Sequence, residues 1–326
     1  MITDLDQTAF VTGGSGFIGS RLIQRLVEEG WRVRALARSA EADARVEALG
    51  AEAVRGDLDN GAALRGGAHG CAHVFHAAAH LGADGDWKAF ERVNVQGTKN
   101  LLAAARDAEV RRFVHVGTEA ALLAGEPLIE ADERTPLRPD SPVPYSATKA
   151  KAEIAVLGAS EEGVFETVSI RPRFVWGVGD TTLLPMLVEQ VRAGKWAWIG
   201  GGRNRTSTTH VDNVVEGLLC GARRGVPGNA YFVLDDGGPV VFKEFVSELM
   251  RTQALQVPGR SVPVFAARGL AAVGAIPRFA FWVASQDCIL DDTKAREQLG
   301  YRPVISREEG LAALRGVAGT PVGAAV

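Results

Sequence analysis

Tyr145 and Lys149 stand four positions apart, a spacing that suits proton transfer. They open the segment YSATK at the start of a stretch with helical periodicity, and side chains four residues apart lie on one helix face. A lysine ammonium beside a phenol favours the phenolate and lowers the phenol pKa from about 10 towards the working range. The pair therefore predicts a tyrosine that donates or accepts a proton. Because this spacing is common in helices, its meaning depends on the elements around it.

A glycine-rich turn near the N-terminus predicts a dinucleotide phosphate site. The segment TAFVTGGSGFIG at 8–19 joins a short apolar strand to a helical pattern over 17–29, and its glycines fit both G-x-G-x-x-G and G-x-x-G-x-x-G. Glycines permit a tight turn and a close backbone approach to a pyrophosphate, and the helix N-terminus offers free N–H groups. The residues expected to hold the phosphates are Gly13, Gly16, Phe17, Ile18 and Gly19.

Two further positions bear on which dinucleotide binds. Arg38 follows a predicted strand at 31–37, about twenty residues past the glycines, where an NAD site has an acid for the ribose hydroxyls. A guanidinium there suits a 2′-phosphate and favours NADP, with NAD possible and a solvated surface arginine as the alternative. Asp57 and Leu58 follow a third strand at 51–54. Asp57 could accept from an adenine amino group, or it could cap the helix beginning near Asn60.

Strands and helices alternate as far as Arg171. Further predicted strands at 72–75, 112–116 and 166–170 are separated by helical patterns, which predicts an α/β fold with a doubly wound parallel sheet of the Rossmann type. Ligands bind at the carboxyl ends of such strands. The candidates at these ends are Thr12, Arg38, His76, Ala77, Ala78, Thr118 and Arg171.

His76 and His80 lie four residues apart, but no acidic residue or cysteine stands nearby. Two histidines at this spacing could chelate a metal only on a helix and with further ligands, so no metal is predicted. Structural or pocket-lining roles are expected instead.

Beyond Arg171 the alternation loosens, which predicts a smaller, interleaved C-terminal substrate lobe. The expected organisation is a nucleotide domain at 1–175, joined by about 205–225, a substrate lobe mostly at 176–316, and a flexible tail at 317–326. Aromatic residues of the lobe could wall an apolar pocket or form its core. The residues expected to line the substrate pocket are His80, Glu119, Phe174, Trp176 and Arg205.

The composition and charge of the 326-residue chain restrict the kinds of partner and cellular compartment that we expect. A net charge of −3 argues against general nucleic-acid binding. Three scattered cysteines and an N-terminus without a basic region predict a reducing, cytoplasmic setting and no signal peptide. Prolines and arginines interrupt the apolar stretch at 262–284. It therefore predicts packed helices or an apolar substrate wall instead of a membrane span, and it leaves peripheral membrane contact open.

Taken together, the motifs resemble those of the extended short-chain dehydrogenase/reductase superfamily, also called the NAD(P)-dependent epimerase/dehydratase family. They run through nearly the whole chain in the family's order: TGGSGFIGS at 12–20, GDL at 56–58, HAAA at 76–79, Asn94, VHVGTEA at 114–120, YSATK at 145–149, RP at 171–172, HVDN at 210–213 and LDDTKAREQLGYRP at 290–303. Within the superfamily, the chain looks most like the branch of 3β-hydroxysteroid dehydrogenase-type and dihydroflavonol reductase-type enzymes.

The resemblance implies hydride transfer between nicotinamide C4 and a carbonyl or alcohol on a fairly hydrophobic substrate of hydroxysteroid, flavonoid or 3-oxoacyl type. Tyr145 would then be the acid–base group, Lys149 would hold the nicotinamide ribose and tune the tyrosine, and Thr118 would hydrogen-bond the substrate oxygen. By the same resemblance Arg171, Ala77 and Ala78 would contact the cofactor. Helices over 86–106 and 145–159 would form a homodimer, because their alanines permit close packing.

Two other functions stay open at this point. One is a nucleotide-sugar epimerase or dehydratase with tightly bound NAD. The segment Thr118-Glu119-Ala120 lacks the second acid of the dehydratases, and Phe174 stands near the place where sugar-nucleotide enzymes often carry an asparagine. The other is a non-catalytic NADP-binding regulator, which the intact set of Thr118, Tyr145 and Lys149 disfavours.

The cofactor preference can be tested at Arg38. Replacing Arg38 with Asp should weaken NADPH binding relative to NADH by about tenfold or more, because a charge-assisted contact to the 2′-phosphate is lost. Dissociation constants for both dinucleotides, measured for the natural protein and the variant, give this ratio. An unchanged ratio would assign Arg38 to the solvated surface.

Overall fold

A computed structural model describes residues 7–81 and 86–317 of the chain. The predicted flexible tail at 317–326 lies outside the described residues, apart from Val317 at the end of the last helix.

Strands and helices occur in the order that the alternation predicts. The strands are β1 (Thr8–Thr12), β2 (Arg32–Ala37), β3 (Glu52–Arg55), β4 (His73–His76), β5 (Arg112–Val116), β6 (Leu128–Ala131), β7 (Glu166–Arg171), β8 (Val175–Trp176), β9 (Trp198–Ile199), β10 (Arg205–Thr206), β11 (Thr209–His210), β12 (Asn229–Phe232), β13 (Val240–Val241), β14 (Ser261–Val262) and β15 (Cys288–Leu290). The helices are α1 (Phe17–Glu28), α2 (Ala40–Ala48), α3 (Gly61–Ala68), α4 (Trp87–Phe90), α5 (Gly97–Asp107), α6 (Pro144–Gly158), α7 (Leu183–Arg192), α8 (Val211–Arg224), α9 (Phe242–Thr252), α10 (Val264–Ala272), α11 (Arg278–Ser285) and α12 (Arg307–Val317).

Within the described residues, seven strands form one sheet in the order β12-β7-β5-β4-β1-β2-β3. Every pair in it is parallel. The chain moves outward from β1 in one direction and then returns to β4 on the other side of β1. This reversal makes the carboxyl ends of β1 and β4 the natural binding crevice. The doubly wound Rossmann-type α/β fold is therefore confirmed.

The smaller lobe is threaded through the larger one. Its main sheet has the order β13-β10-β15-β6, so a strand from residues 128–131 pairs with one from residues 288–290. The segment that returns to the large domain consists of α8 and β12. That segment begins and ends later than the expected 205–225, and Arg205 lies in the small sheet.

One expected helix is interrupted, and two further local features add to the sequence expectation. The helix expected over 86–106 contains a π-helical segment, Glu91–Gln96, between α4 and α5. The acidic loops before Pro144 contain a 3-10 turn and β6. His210 caps α8, because its ring nitrogen accepts from the Asp212 backbone N–H.

A buried carboxylate organises the junction of the two lobes. Asp235, 4% exposed, accepts hydrogen bonds from the Thr208 hydroxyl, the His210 backbone, the Trp176 indole and the Asn213 amide at 2.7–2.8 Å. These donors come from β8, from the loop before β11, from β11 itself and from α8. Such a concentration of donors compensates the cost of burying a carboxylate.

Asn213 extends this junction to the C-terminal segment. Its side-chain oxygen accepts from the backbone N–H groups of Val304 and Ile305, and its amide donates to the Ile305 carbonyl. Ser306 and Glu309 then form a capping box at the start of α12. The HVDN segment therefore joins chain regions that lie far apart in sequence.

The proposed dimer helices use most of their small residues inside the chain. Ala104, Ala150 and Ala152 are buried within this chain, and only Ala103 of the expected set is exposed. These three alanines therefore do not offer an outer packing surface, and the homodimer remains a prediction. Over the described residues, no helix combines the length and the apolar character that crossing a membrane requires.

Replacement of Asp235 by Ala should lower the free energy of unfolding by at least about 3 kcal/mol, because several buried donors lose their acceptor. Urea titration of both proteins measures the difference. The matched control is Asp236→Ala, since this neighbour is exposed and forms an ion pair with Arg296 at the surface, and it should cost at most about 1 kcal/mol. Equal effects at the two positions would contradict the role assigned to Asp235.

Candidate active site

The glycine turn approaches the chain after β4 more closely than any side chain would allow. Gly13 has a φ of +75°, and a Cβ at this position would lie 2.6 Å from the Ala78 backbone nitrogen. A Cβ at Gly19 would lie 2.1 Å from the Gly13 carbonyl oxygen. Gly13, Gly19, Ala77 and Ala78 therefore meet at the carboxyl ends of β1 and β4, where the fold places its binding crevice.

The start of α1 fits a bound pyrophosphate. Gly16 is the N-cap and supplies no side-chain hydrogen bond, and the first turn contains no acidic residue. The backbone N–H groups of Phe17, Ile18 and Gly19 belong to the first turn, where intrahelical partners are lacking. Together with the positive end of the helix dipole, they make a site for an anion. The residues present thus match the dinucleotide phosphates expected from the sequence.

The side chains expected to select the nucleotide lie at the exposed end of the sheet. Arg38 is exposed immediately after β2, and Ser39 caps α2. Asp57 is also exposed, and its carboxylate accepts from the Asp59 backbone N–H at 3.0 Å. The alternative that Asp57 caps α3 is wrong, because Asn60 does so.

Leu58 differs from its predicted neighbours because it is buried. It packs in the core on the side of α3 and α5, where a Cβ on Gly97 would lie within 3 Å of its side chain. Only its backbone therefore remains as a candidate cofactor contact.

Lys149 occupies a buried polar site between β5 and α6. Its ammonium donates to the Val116 carbonyl at 2.8 Å and to Nε2 of His115 at 3.0 Å. Burial lowers the pKa of Lys149 to about 8, and nearby Glu153 opposes the shift. Burial and the Lys149 charge also lower the pKa of His115, which keeps the imidazole neutral and able to accept.

The polar chain continues from His115 towards Arg171. His115 Nδ1 and the Ser169 hydroxyl are 3.1 Å apart, Ser169 donates to Glu153 at 3.0 Å, and Glu153 accepts from Arg171 Nε at 2.7 Å. All of these side chains are at most 2% exposed. Arg171, expected to contact the cofactor, is thus engaged with a carboxylate that sequence reasoning did not identify. Its contact with a cofactor remains a prediction.

Tyr145 is half-buried in the first turn of α6. Its ring meets Phe279 edge to face at 5.7 Å, and it packs against the apolar cluster of the small lobe. Burial and the neighbouring carboxylate of Glu119 raise the pKa of Tyr145, while the nearby Thr118 hydroxyl opposes the increase. The expectation that Lys149 lowers this pKa is not met in the structure, because burial and Glu119 outweigh other influences.

Glu119 and Arg173 form a buried ion pair beside Thr118. The Thr118 hydroxyl donates to Glu119 at 2.9 Å, and a guanidinium nitrogen of Arg173 donates to the other oxygen of Glu119. Both charged side chains are nearly inaccessible. Because an ionised carboxylate only accepts, Thr118 must donate to it. The same hydroxyl oxygen accepts from the Ala120 backbone N–H at 3.2 Å.

Arg173 was absent from the sequence prediction. Its Nε donates to Thr206 and its backbone N–H to Thr209, so it also joins the small lobe to β7. The only signal in the sequence was a second arginine two residues after Arg171, and nothing there indicated Glu119 as its partner.

His76 and His80 have separate roles. His76 is buried between the Thr12 and Thr98 hydroxyls at 2.7 and 2.9 Å, and burial lowers its pKa to about 3. His80 is held through its backbone, which donates to Asn94 at 2.6 Å and accepts from it at 3.2 Å. Asn94 thus fixes the loop after β4. Among the described residues, no group of acidic, histidine and cysteine side chains could hold a metal.

The other expected pocket residues do not form one wall. Trp176 is 1% exposed, and its indole donates to Asp235, so its assignment to an open pocket is wrong. The apolar core of the small lobe encloses it. Phe174 is partly exposed with a strained φ of +44° and contacts Phe242 and Phe245, and Arg205 is exposed on β10.

Comparison with known proteins agrees with this arrangement. The model of the 3-beta hydroxysteroid dehydrogenase/isomerase family matches residues 10–264. The chain is 44% identical to a 4-hydroxy-2-methyl-3-oxo-4-farnesyl-3,4-dihydroquinoline-1-oxide ketoreductase of Stigmatella aurantiaca, with 94% of this chain and 95% of that protein covered. It is 34% identical to a 2-alkyl-3-oxoalkanoate reductase of Stenotrophomonas maltophilia, with 94% and 97% covered.

Solved structures show the same fold. A dTDP-glucose 4,6-dehydratase from Streptomyces venezuelae, with NAD bound, has a TM-score of 0.78 at 24% identity and covers 96% of this chain and 97% of its own. A UDP-glucose 4-epimerase from Thermotoga maritima has a TM-score of 0.77 at 21% identity and covers 95% and 97%. At these identities, the likeness concerns the fold alone.

Replacement of Glu119 by Gln should lower the pKa of Tyr145 by about one unit or more, because a like charge is removed and Arg173 is left uncompensated. Absorbance titration of tyrosinate measures the change. Since the chain contains three tyrosines, each titration is subtracted from that of the same protein carrying Tyr145→Phe. The exposed Glu126 supplies the control Glu126→Gln. If Tyr145 ionises at the same pH in all three backgrounds, Glu119 does not act on it.

Proposed function

The chain belongs to the 3-beta hydroxysteroid dehydrogenase/isomerase family, and from that premise we propose that it uses NADP(H) to interconvert a ketone and an alcohol on a hydrophobic substrate. It is an NAD(P)-dependent oxidoreductase of the extended short-chain dehydrogenase/reductase type. The observation that carries the proposal is the position of Tyr145, whose phenol lies beside Thr118 and Glu119 while its ring packs against Phe279 and the apolar cluster of the small lobe.

The names of the relatives suggest a narrower substrate class. In both reductases the named 3-oxo group lies beside a carbon that bears a hydrocarbon chain, an alkyl chain in one and a farnesyl chain in the other. We extend this shared chemistry to the present chain: a 3-oxo compound with a long hydrocarbon substituent on the neighbouring carbon. An apolar cluster beside a proton-donating phenol suits such a molecule.

Several residues of this chain would hold the cofactor. The turn at 13–19 would bind the pyrophosphate, Arg38 the 2′-phosphate, and Ala77 and Ala78 would line the crevice. When bound, the nicotinamide would supply a hydride to the carbonyl carbon or accept one from the alcohol carbon. Lys149 would hold the ribose from its place beside Val116.

The proton step follows from the surroundings of Tyr145. Because burial and Glu119 raise its pKa, Tyr145 is protonated at neutral pH and is suited to donate a proton to a carbonyl oxygen. Arg173 compensates Glu119 and so keeps the carboxylate charge buried beside the site. This arrangement favours the protonated phenol, which is the form required for ketone reduction.

Substitution Tyr145→Phe should reduce the rate of NADPH-dependent ketone reduction by roughly 10²- to 10⁴-fold, because the proton donor is removed. The dissociation constant for NADPH should stay close to that of the natural protein. NADPH oxidation with a panel of 2-alkyl-3-oxo compounds measures the rate, and fluorescence titration measures binding. Lys151→Ala, which alters a half-buried residue on the same helix that pairs with Glu91, should retain activity. An unchanged rate in Tyr145→Phe would refute the proposed mechanism.

A further inference from the structure

Helix α10 carries its large apolar side chains outward. Phe265 is 80% exposed, and Val273, which follows the helix, is 79% exposed. The helix instead buries Ala267 and Ala271, one turn apart, against the cluster that contains Phe281 and Trp282. A helix at the surface of a globular protein usually buries its large apolar residues and exposes polar ones. The reversal here creates an exposed apolar ridge, consisting of Val264, Phe265, Leu270 and Val273.

The chain segment that carries this ridge contains charges of one sign only. No acidic residue occurs between Glu248 and Asp287, whereas the chain as a whole has a net charge of −3. Arg268 on α10 and Arg278 at the start of α11 are exposed, and within residues 7–81 and 86–317 neither forms an ion pair. An exposed apolar patch marks an interaction site, and a basic border favours an anionic partner.

Helices α10 and α11 form a helical hairpin, and this hairpin covers the candidate active site at Tyr145. Helix α10 packs against α11, and Phe279 of α11 contacts Tyr145 edge to face. One side of the hairpin therefore faces the proton donor, and the other side carries the apolar ridge. A partner bound to the ridge would lie one helical layer away from the reacting group.

We propose that the α10–α11 hairpin docks on the surface of a bilayer containing anionic lipids. Phe265, Leu270 and Val273 would enter the boundary between headgroups and acyl chains, and Arg268 and Arg278 would contact lipid phosphates. A second copy of the chain fits this surface less well, because a two-fold contact would set the same arginines against each other. The delivery of a lipid-dissolved ketone to Tyr145 from this surface rests on the proposed function, whereas the docking itself does not.

Vesicle sedimentation of the whole protein tests the docking directly. The probes are vesicles of phosphatidylcholine alone and of phosphatidylcholine mixed with phosphatidylglycerol. The protein should bind the mixed vesicles more tightly, and binding should weaken as salt is raised, because exposed charges are screened. The variant Phe265→Ser should weaken binding to the mixed vesicles by about tenfold or more, since a large apolar side chain no longer enters the lipid.

Two further variants separate the contributions. The double variant Arg268→Gln with Arg278→Gln should abolish the preference for phosphatidylglycerol. The control Val164→Ser changes a side chain that is 61% exposed and remote in sequence from the hairpin, and it should bind vesicles like the natural protein. Circular dichroism confirms that each variant is folded.

Three outcomes would overturn the docking proposal. They are no binding to the mixed vesicles, equal loss of binding in Val164→Ser and Phe265→Ser, and a dimer in sedimentation that Phe265→Ser converts to monomer without any vesicle binding. The last outcome would assign the ridge to a second copy of the chain. The proposed function is tested separately, by reduction of a water-soluble 3-oxo ester. If the protein binds vesicles but does not reduce this ester, the proposed function fails and the docking proposal stands.

Discussion

The Lys149 ammonium is buried at the carboxyl end of β5, and much of the site depends on keeping this charge there. A charge without water must be compensated by hydrogen bonds and opposite charge. The Val116 carbonyl and His115 compensate it directly. Ser169 and Glu153 extend the compensation to Arg171 on β7, which β5 and β4 separate from the strand before the glycine turn. The neutral form of His115 is essential in this chain, because a protonated imidazole would offer Lys149 no lone pair.

The buried ion pair of Glu119 and Arg173 lies beside the proton donor Tyr145, and its charges likewise compensate each other. Glu119 receives a hydrogen bond from Thr118 and pairs with Arg173, which also reaches Thr206 of the small lobe. The position of the small lobe and the electrostatics around Tyr145 are therefore linked through one guanidinium. Movement of the lobe would disturb the charge nearest to the phenol. The two lobes behave as one site because charged groups at their junction have no solvent to replace their partners.

The two ends of the candidate site differ in their surroundings. The phosphate end is built from backbone, with glycines that allow close approach and helix N–H groups that attract an anion. The proton-donating end lies between buried ion pairs and the apolar cluster of the small lobe. The α10–α11 hairpin belongs to both that cluster and the surface, since Ala267 and Ala271 of α10 and Phe281 and Trp282 of α11 face inward, whereas Phe265 of α10 faces outward. A hydrophobic substrate and a lipid surface make similar demands on such an element.

The sequence by itself determined the features that depend on local pattern. The alternation of strands and helices, the glycine turn of residues 13–19, the YSATK pair on one helix and the capping box at Ser306 all follow from neighbours within a few positions. Only the tertiary structure decided which charged residues meet. Glu119 and Arg173 are 54 positions apart, and Asp235 gathers donors from 22 to 59 positions away. Trp176 and Phe265 are both large aromatic residues, so their types alone do not show which of them is buried. Only the packing of the folded chain places Trp176 in the core and Phe265 at the surface. The shift in the pKa of Tyr145 also depends on tertiary structure. Its direction is set by burial and by the Glu119 carboxylate that folding brings near, and the spacing between Tyr145 and Lys149 shows neither.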